Sequence, residues 1–113
     1  MYLLVAVVNN DDLLNDIITG WLDIGITAAT VLESTDSVQL ISETIPIFAG
    51  FRSLSSGGMR HNKTIFSAID DKKLLDLAIA FLKKTCLEID EPAKGIYFTI
   101  PLLDFWKADS QIS

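Results

Sequence analysis

The chain has 113 residues, half of them apolar, with 9 basic against 15 acidic side chains, one His and one Cys. This length and apolar content predict one globular domain and exclude a wholly disordered chain. The net charge of −6 disfavours nucleic acid as a partner, because nucleic acid rewards a basic surface. A single cysteine excludes an internal disulfide framework, and we expect a cytoplasmic protein.

The first predicted element is a strand over residues 2–8, an unbroken run of apolar side chains. It is far shorter than the roughly 20 residues of a spanning helix, so we expect no direct membrane insertion. Its continuous apolar character is typical of a strand that is buried on both faces. Asn10 or Asp11 then offers a helix N-cap, an apolar stripe runs over residues 13–22, and Gly25 ends the helix.

The middle of the chain predicts a second strand over residues 26–32 and a third over residues 64–69, because both are rich in β-branched side chains. Between them, residues 35–61 show no sustained period and contain several Gly and Ser, which predicts a long loop. The negative charge is concentrated before this point, since residues 1–57 hold seven acids and only one basic side chain, Arg52.

The last third predicts a second helix, capped by Asp70 or Asp71, and a fourth strand over residues 96–102. The buried side of this helix is expected to consist of Leu74, Leu75, Ala78, Ile79, Phe81, Leu82 and Cys86. Pro101 is compatible with a strand only at a sheet edge, because proline has no N–H to donate to a central ladder. A tail with Phe105 and Trp106 follows.

The order β-α-β-β-α-β predicts a ferredoxin-like α+β fold, in which two helices cover one face of an antiparallel sheet. The first strand is apolar at every position, so its second face also needs a cover. We therefore expect an oligomer with the open sheet faces packed inward.

Two segments resemble the PII (nitrogen regulatory) signal-transduction superfamily. Residues 25–31 read Gly-Ile-Thr-Ala-Ala-Thr-Val, similar to the segment that opens the family's second strand. Residues 95–102 read Gly-Ile-Tyr-Phe-Thr-Ile-Pro-Leu, similar to its final strand. The element order agrees over nearly the whole chain, and the segment 35–61 takes the place of the family's partner-binding T-loop.

This resemblance implies a homotrimer that binds an effector in the clefts between subunits. The effector would be ATP, ADP, AMP or another nucleotide, often together with 2-oxoglutarate. The T-loop would then regulate a protein partner, namely a transporter, an enzyme or a transcriptional regulator. The resemblance implies a regulatory protein and no enzyme, so we expect no catalytic residues.

The expected effector site combines positions from the resemblance with a basic cluster. Thr30, Lys94, Gly95 and Lys107 match cleft positions of the family, whereas Ile96 and Asp109 stand where the family usually has basic side chains. Arg52, Arg60, Asn62 and Lys63 flank a Gly-Gly pair whose backbone N–H groups suit a phosphate or a carboxylate.

The loop itself contains an apolar stretch with Ile47, Phe48, Phe51 and Arg52. It is expected to dock a partner protein, with the phenylalanines as anchors. The alternative is that this stretch packs back onto its own trimer.

Two other functions remain open at this stage. A trimeric metal-tolerance protein would share the fold, but one His and one Cys are a thin set of ligands, so we expect no metal site. A small acylphosphatase-type enzyme would need an arginine and an asparagine around a phosphate, a role that Arg52 or Arg60 with Asn62 could fill. A trimeric scaffold without a ligand is a third possibility.

Overall fold

The computed structural model describes residues 1–35, 37, 62–88 and 95–108. Its elements, in chain order, are β1 (Tyr2–Val8), α1 (Asp11–Ile24), β2 (Thr30–Ser34), β3 (Asn62–Ile69), α2 (Lys72–Glu88) and β4 (Gly95–Pro101). Most of the predicted loop, 36 and 38–61, lies outside the described residues, as do residues 89–94. Neither α1 nor α2 is long and apolar enough to cross a membrane.

The four strands form one antiparallel sheet in the order β2-β3-β1-β4. β1 is a central strand, with Val5 opposite Phe66 of β3 on one side and Phe98 of β4 on the other. The sheet and the two helices make an α+β fold that is consistent with the predicted ferredoxin-like type. β4 lies at an edge and ends at Pro101, so the expected place of this proline is confirmed.

The first strand has the predicted bounds, whereas the second was predicted too early. β2 begins at Thr30, four residues after the predicted start. Backbone groups before it form hydrogen bonds outside the strand ladder. The Ile26 N–H donates to the Trp21 carbonyl (2.8 Å), and the Ala28 carbonyl accepts from the Ser67 hydroxyl (2.7 Å). β3 and β4 start two and one residues earlier than predicted.

Both helices begin where the sequence predicts, and α1 also ends there. The Asn10 side chain accepts a hydrogen bond from the Leu13 N–H (3.0 Å), and Gly25 ends α1 with a left-handed φ of 110°. A residue with a side chain is strained at such a φ, which explains the glycine. At α2 the Asp71 carboxylate accepts from the Lys73 N–H (2.9 Å), so Asp71 is the cap.

The core lies between the helices and one face of the sheet. On β1 this face carries Leu4, Ala6 and Val8, all buried. The helices contribute the buried side chains Leu13, Ile17, Trp21, Leu75, Ala78 and Leu82. The predicted inner side of α2 is confirmed, with Leu74, Ile79, Phe81 and Cys86 partly buried around these residues.

The two helices are joined by a buried hydrogen bond and by a close approach at a glycine. The Trp21 indole N–H donates to the Ala78 carbonyl (3.2 Å), which satisfies the polar end of a fully buried ring. One residue earlier, a Cβ built at Gly20 would overlap the tip of the Phe81 ring. The absence of a side chain at Gly20 therefore lets Phe81 pack against α1.

We predict that Gly20→Ala destabilises the protein by about 1–3 kcal/mol, because the new methyl group forces Phe81 out of its place. In a Phe81→Ala background the same change should stabilise by up to about 1 kcal/mol, since alanine is the better helix former. Urea unfolding followed by circular dichroism measures both effects. A gain of stability in both backgrounds would show that the helices do not depend on this approach.

Candidate functional site

The candidate site is the end of the sheet at which β1 finishes. Val8, the last residue of β1, lies opposite Lys63 on one side and Gly95 on the other. Ser34 and Asn62, which lie opposite each other, are the points where the segment 35–61 leaves and rejoins the sheet. Residues 89–94 directly precede Gly95, so both connections meet the sheet at this end.

The structure brings together three of the predicted effector residues, namely Asn62, Lys63 and Gly95. Thr30 is exposed at the other end of β2, about 10 Å along the strand from the position opposite Lys63. Lys107 is exposed in the tail that follows β4. The other predicted site residues lie outside the described part of the chain: Arg52, Arg60 and Lys94 of the effector site, and Ile47, Phe48 and Phe51 of the docking loop.

Lys63 is a basic side chain at this end of the sheet, and it forms ion pairs with acidic neighbours. Its ammonium group donates to the Glu33 carboxylate (2.6 Å) and lies 3.9 Å from a carboxylate oxygen of Asp11. The hydrogen bond to Glu33 is the main cause that raises the pKa of Lys63, and partial desolvation opposes it. Lys63 is thus charged at neutral pH, and an anion that binds here competes with Glu33.

A groove between α2 and β4 opens beside Gly95, and the sequence did not reveal it. It has a volume of about 240 Å³ and an almost wholly apolar lining that includes Leu82, Cys86, Leu87 and Tyr97. Lys83 borders it, with its ammonium nitrogen 5.6 Å from the centre of the Tyr97 ring, a cation–π distance. No periodicity could signal this groove, because its two walls come from separate elements.

A second groove lies between α1 and α2, with a volume of about 350 Å³. Its lining includes the acids Asp16, Asp23 and Glu88 against one basic side chain, Lys84. This excess of negative charge is unfavourable for an anionic ligand. Across the described ranges, no three His, Cys, Asp or Glu side chains come together in a way that could hold a metal ion.

The sheet face that points away from the helices is strongly apolar. In register across it lie Thr30, Phe66, Val5 and Phe98. On β4 the exposed fractions of Ile96, Phe98 and Ile100 are 59%, 45% and 42%, large values for neighbouring apolar side chains. None of the described elements covers this surface, which we call the open face.

The chain matches no protein-family model, and no curated protein matches it.

Cys86 offers a pH-dependent test of the groove geometry. Burial raises the pKa of its thiol, because a thiolate is poorly solvated beside apolar side chains. We predict that alkylation of Cys86 by iodoacetamide is slower than that of a free thiol at neutral pH, and that its rate rises at higher pH than for the free thiol. The same measurement in 8 M urea, where the groove is lost, should restore the profile of a free thiol. Identical rate profiles with and without urea would contradict the partly buried position of Cys86.

Proposed function

We propose that the protein is a PII-like regulatory homotrimer of the cytoplasm. Its open faces pack against one another, and a small anionic, nucleotide-like effector binds in the clefts between subunits. The effector changes the segment 35–61, which regulates a partner protein. The protein acts through binding and conformational change, without catalysis of its own.

The observation that carries the proposal is the apolar open face. Exposed neighbours such as Ile96, Phe98 and Ile100 cost free energy in water, and full burial of one such side chain contributes about 1.5–3 kcal/mol. A closed ring of copies removes all open faces from water at once, whereas a monomer leaves them exposed. Among closed rings, the resemblance to the PII superfamily favours three subunits.

The placement of the effector is supported by the arrangement at the end of β1. The connections that carry Arg52, Arg60 and Lys94 in the sequence are both joined to the sheet here, next to Lys63 and Gly95. Phosphate groups favour sites at which basic side chains and backbone N–H groups converge.

The ion pair between Glu33 and Lys63 suggests how effector binding changes the conformation of the segment 35–61. Glu33 is the penultimate residue of β2, and Lys63 is the second residue of β3, so their ion pair joins the two strands at the base of the segment 35–61. An anionic effector that takes over Lys63 weakens this link. Because the bound state then favours a different loop arrangement, the effector shifts the population of loop conformations.

We predict that light scattering after size exclusion gives the mass of a trimer, and that Phe98→Glu gives a monomer. A carboxylate in the middle of a buried open face is left without solvation, which is strongly unfavourable. The matched control is Leu77→Glu on α2, because Leu77 is similarly exposed at 55% but lies outside the sheet. It should remain trimeric.

A monomeric wild-type protein would overturn the assembly. Dissociation by Leu77→Glu with an intact Phe98→Glu trimer would place the contact on the helices instead.

For the effector, we predict a rise of the melting temperature with at least one of ATP, ADP, AMP, cyclic dinucleotides and 2-oxoglutarate at millimolar concentration. Arg52→Ala and Lys94→Ala should reduce the shift, whereas Lys73→Ala, at the start of α2, should leave it unchanged. Glu33→Gln should tighten binding about two- to fivefold, since Lys63 then has no competing carboxylate on β2. A trimer that none of these compounds stabilises would refute the effector site while leaving the assembly intact.

A further inference from the structure

The groove between α1 and α2 has no part in the proposed function. Its volume of about 350 Å³ lies within the range of about 300–1,000 Å³ that is typical of ligand pockets. Gly20 and Phe81 lie on its opposite walls, and Phe81 is only half-buried there. The outer side of the helix pair therefore offers an apolar surface inside a groove.

The wall of the groove on α1 carries a stripe of acidic side chains, which we call the acidic stripe. It consists of Asp12, Asp16, Thr19 and Asp23, whose spacing i, i+4, i+7 and i+11 places them on one side of the helix. The stripe is about 16 Å long, since a helix rises about 1.5 Å per residue. No basic side chain interrupts it, because α1 contains none.

The wall on α2 combines apolar side chains with one base and one acid. Leu77, 55% exposed, lies one helical turn before Phe81 and extends the apolar surface along the helix. Lys84 and Glu88 line the groove further along α2. Lys84 forms no ion pair with any residue that the structure describes. It therefore leaves the carboxylates of the groove without a bonded counter-charge.

The same holds for the acidic stripe itself. Within the described ranges, neither Asp12, Asp16 nor Asp23 has a basic side chain within ion-pair distance. These carboxylates are spread along the helix and do not converge on one point, and they form no group that could hold a metal ion. The matching occupant is accordingly an elongated one with several positive charges and an apolar side.

We infer that the groove between α1 and α2 docks a basic amphipathic helix of a partner protein. Apolar side chains of that helix pack on Phe81 and Leu77, which is the helix-in-groove mode of recognition. Its Lys or Arg side chains, repeated every three or four residues, face the acidic stripe along about three turns. The groove lies within one subunit, so this contact does not rest on the proposed trimer.

A synthetic helix tests the contact. The probe is an alanine-based peptide of about 18 residues, long enough to be partly helical alone, with Lys at i, i+4, i+7 and i+11 and a neighbouring stripe of Leu. The control peptide has the same composition with its lysines distributed around the helix. In fluorescence anisotropy with the full-length protein, we expect the probe to bind about tenfold more tightly than the control. Raising the salt concentration should weaken its binding.

Charge variants of the protein locate the binding surface. Asp16→Asn combined with Asp23→Asn should weaken probe binding about fivefold, whereas Asp76→Asn, on α2 but outside the groove, should leave it unchanged. Lys84→Gln should tighten binding about twofold, because it removes a like charge from the groove.

A matched pair of leucine variants tests the apolar contact. Leu77→Ala should weaken probe binding about threefold or more, since it removes an apolar contact of the docked helix. Leu22 is similarly exposed, at 52%, but lies two residues after Gly20 and thus on another side of α1. Leu22→Ala should leave the affinity unchanged.

The outcomes separate this inference from the proposed function. Equal affinity for the two peptides, or equal losses from the Asp16/Asp23 double variant and from Asp76→Asn, would overturn the docking groove. A trimeric wild type that does not bind the probe would refute the docking groove alone. A monomeric wild type that binds the probe as expected would refute the proposed assembly alone.

Discussion

The structure depends on a mismatch between the sheet and its two helices. β1 is central and apolar at every position, so it has two faces that need a cover, whereas α1 and α2 pack on one face only. The covered face holds the core around Leu4, Ala6 and Val8. The other face presents Phe66 and Phe98 on either side of Val5, and in the proposed assembly this surface lies between the copies.

The charges are arranged around the same sheet. Acidic side chains of the first half of the chain lie in the first turn of α1, where Asp11 and Asp12 suit the helix dipole, and in the groove between the helices. Lys63 lies at the end of the sheet between Asp11 and Glu33. A basic residue that the sequence suggests as an anion ligand thus already has an anionic neighbour, with which the proposed effector would compete.

The two helices are joined by a close approach and by a hydrogen bond. Gly20 allows the Phe81 ring to approach α1, and Trp21 bonds across to Ala78. This packing fixes α2 against the core side of the sheet. The groove beside β4, with Cys86 on its wall, is the space that remains between α2 and the edge strand.

Local sequence patterns predicted most of the fold. The apolar run of β1, the Asn10 and Asp71 caps and the Gly25 stop are each encoded within a few residues, because a cap or a strand face needs only near neighbours. The order of these elements then limited the topology to few possibilities. For the candidate site, the sequence could identify the residue types and the segments that carry them. It could not identify which side chains lie beside them in space.

Tertiary structure decided the features that join distant residues. The start of β2 was predicted too early, because the Ala28 carbonyl bonds to Ser67, 39 residues away, and residues 26–29 do not join the ladder. The partner of Lys63 is Glu33, 30 residues earlier, and only the pairing of β2 with β3 brings them together. The sequence by itself determined which segments form strands and helices, through local hydrogen bonding and periodicity. The neighbours of each charge, and the face of the sheet left open, depend on long-range packing that no local pattern encodes.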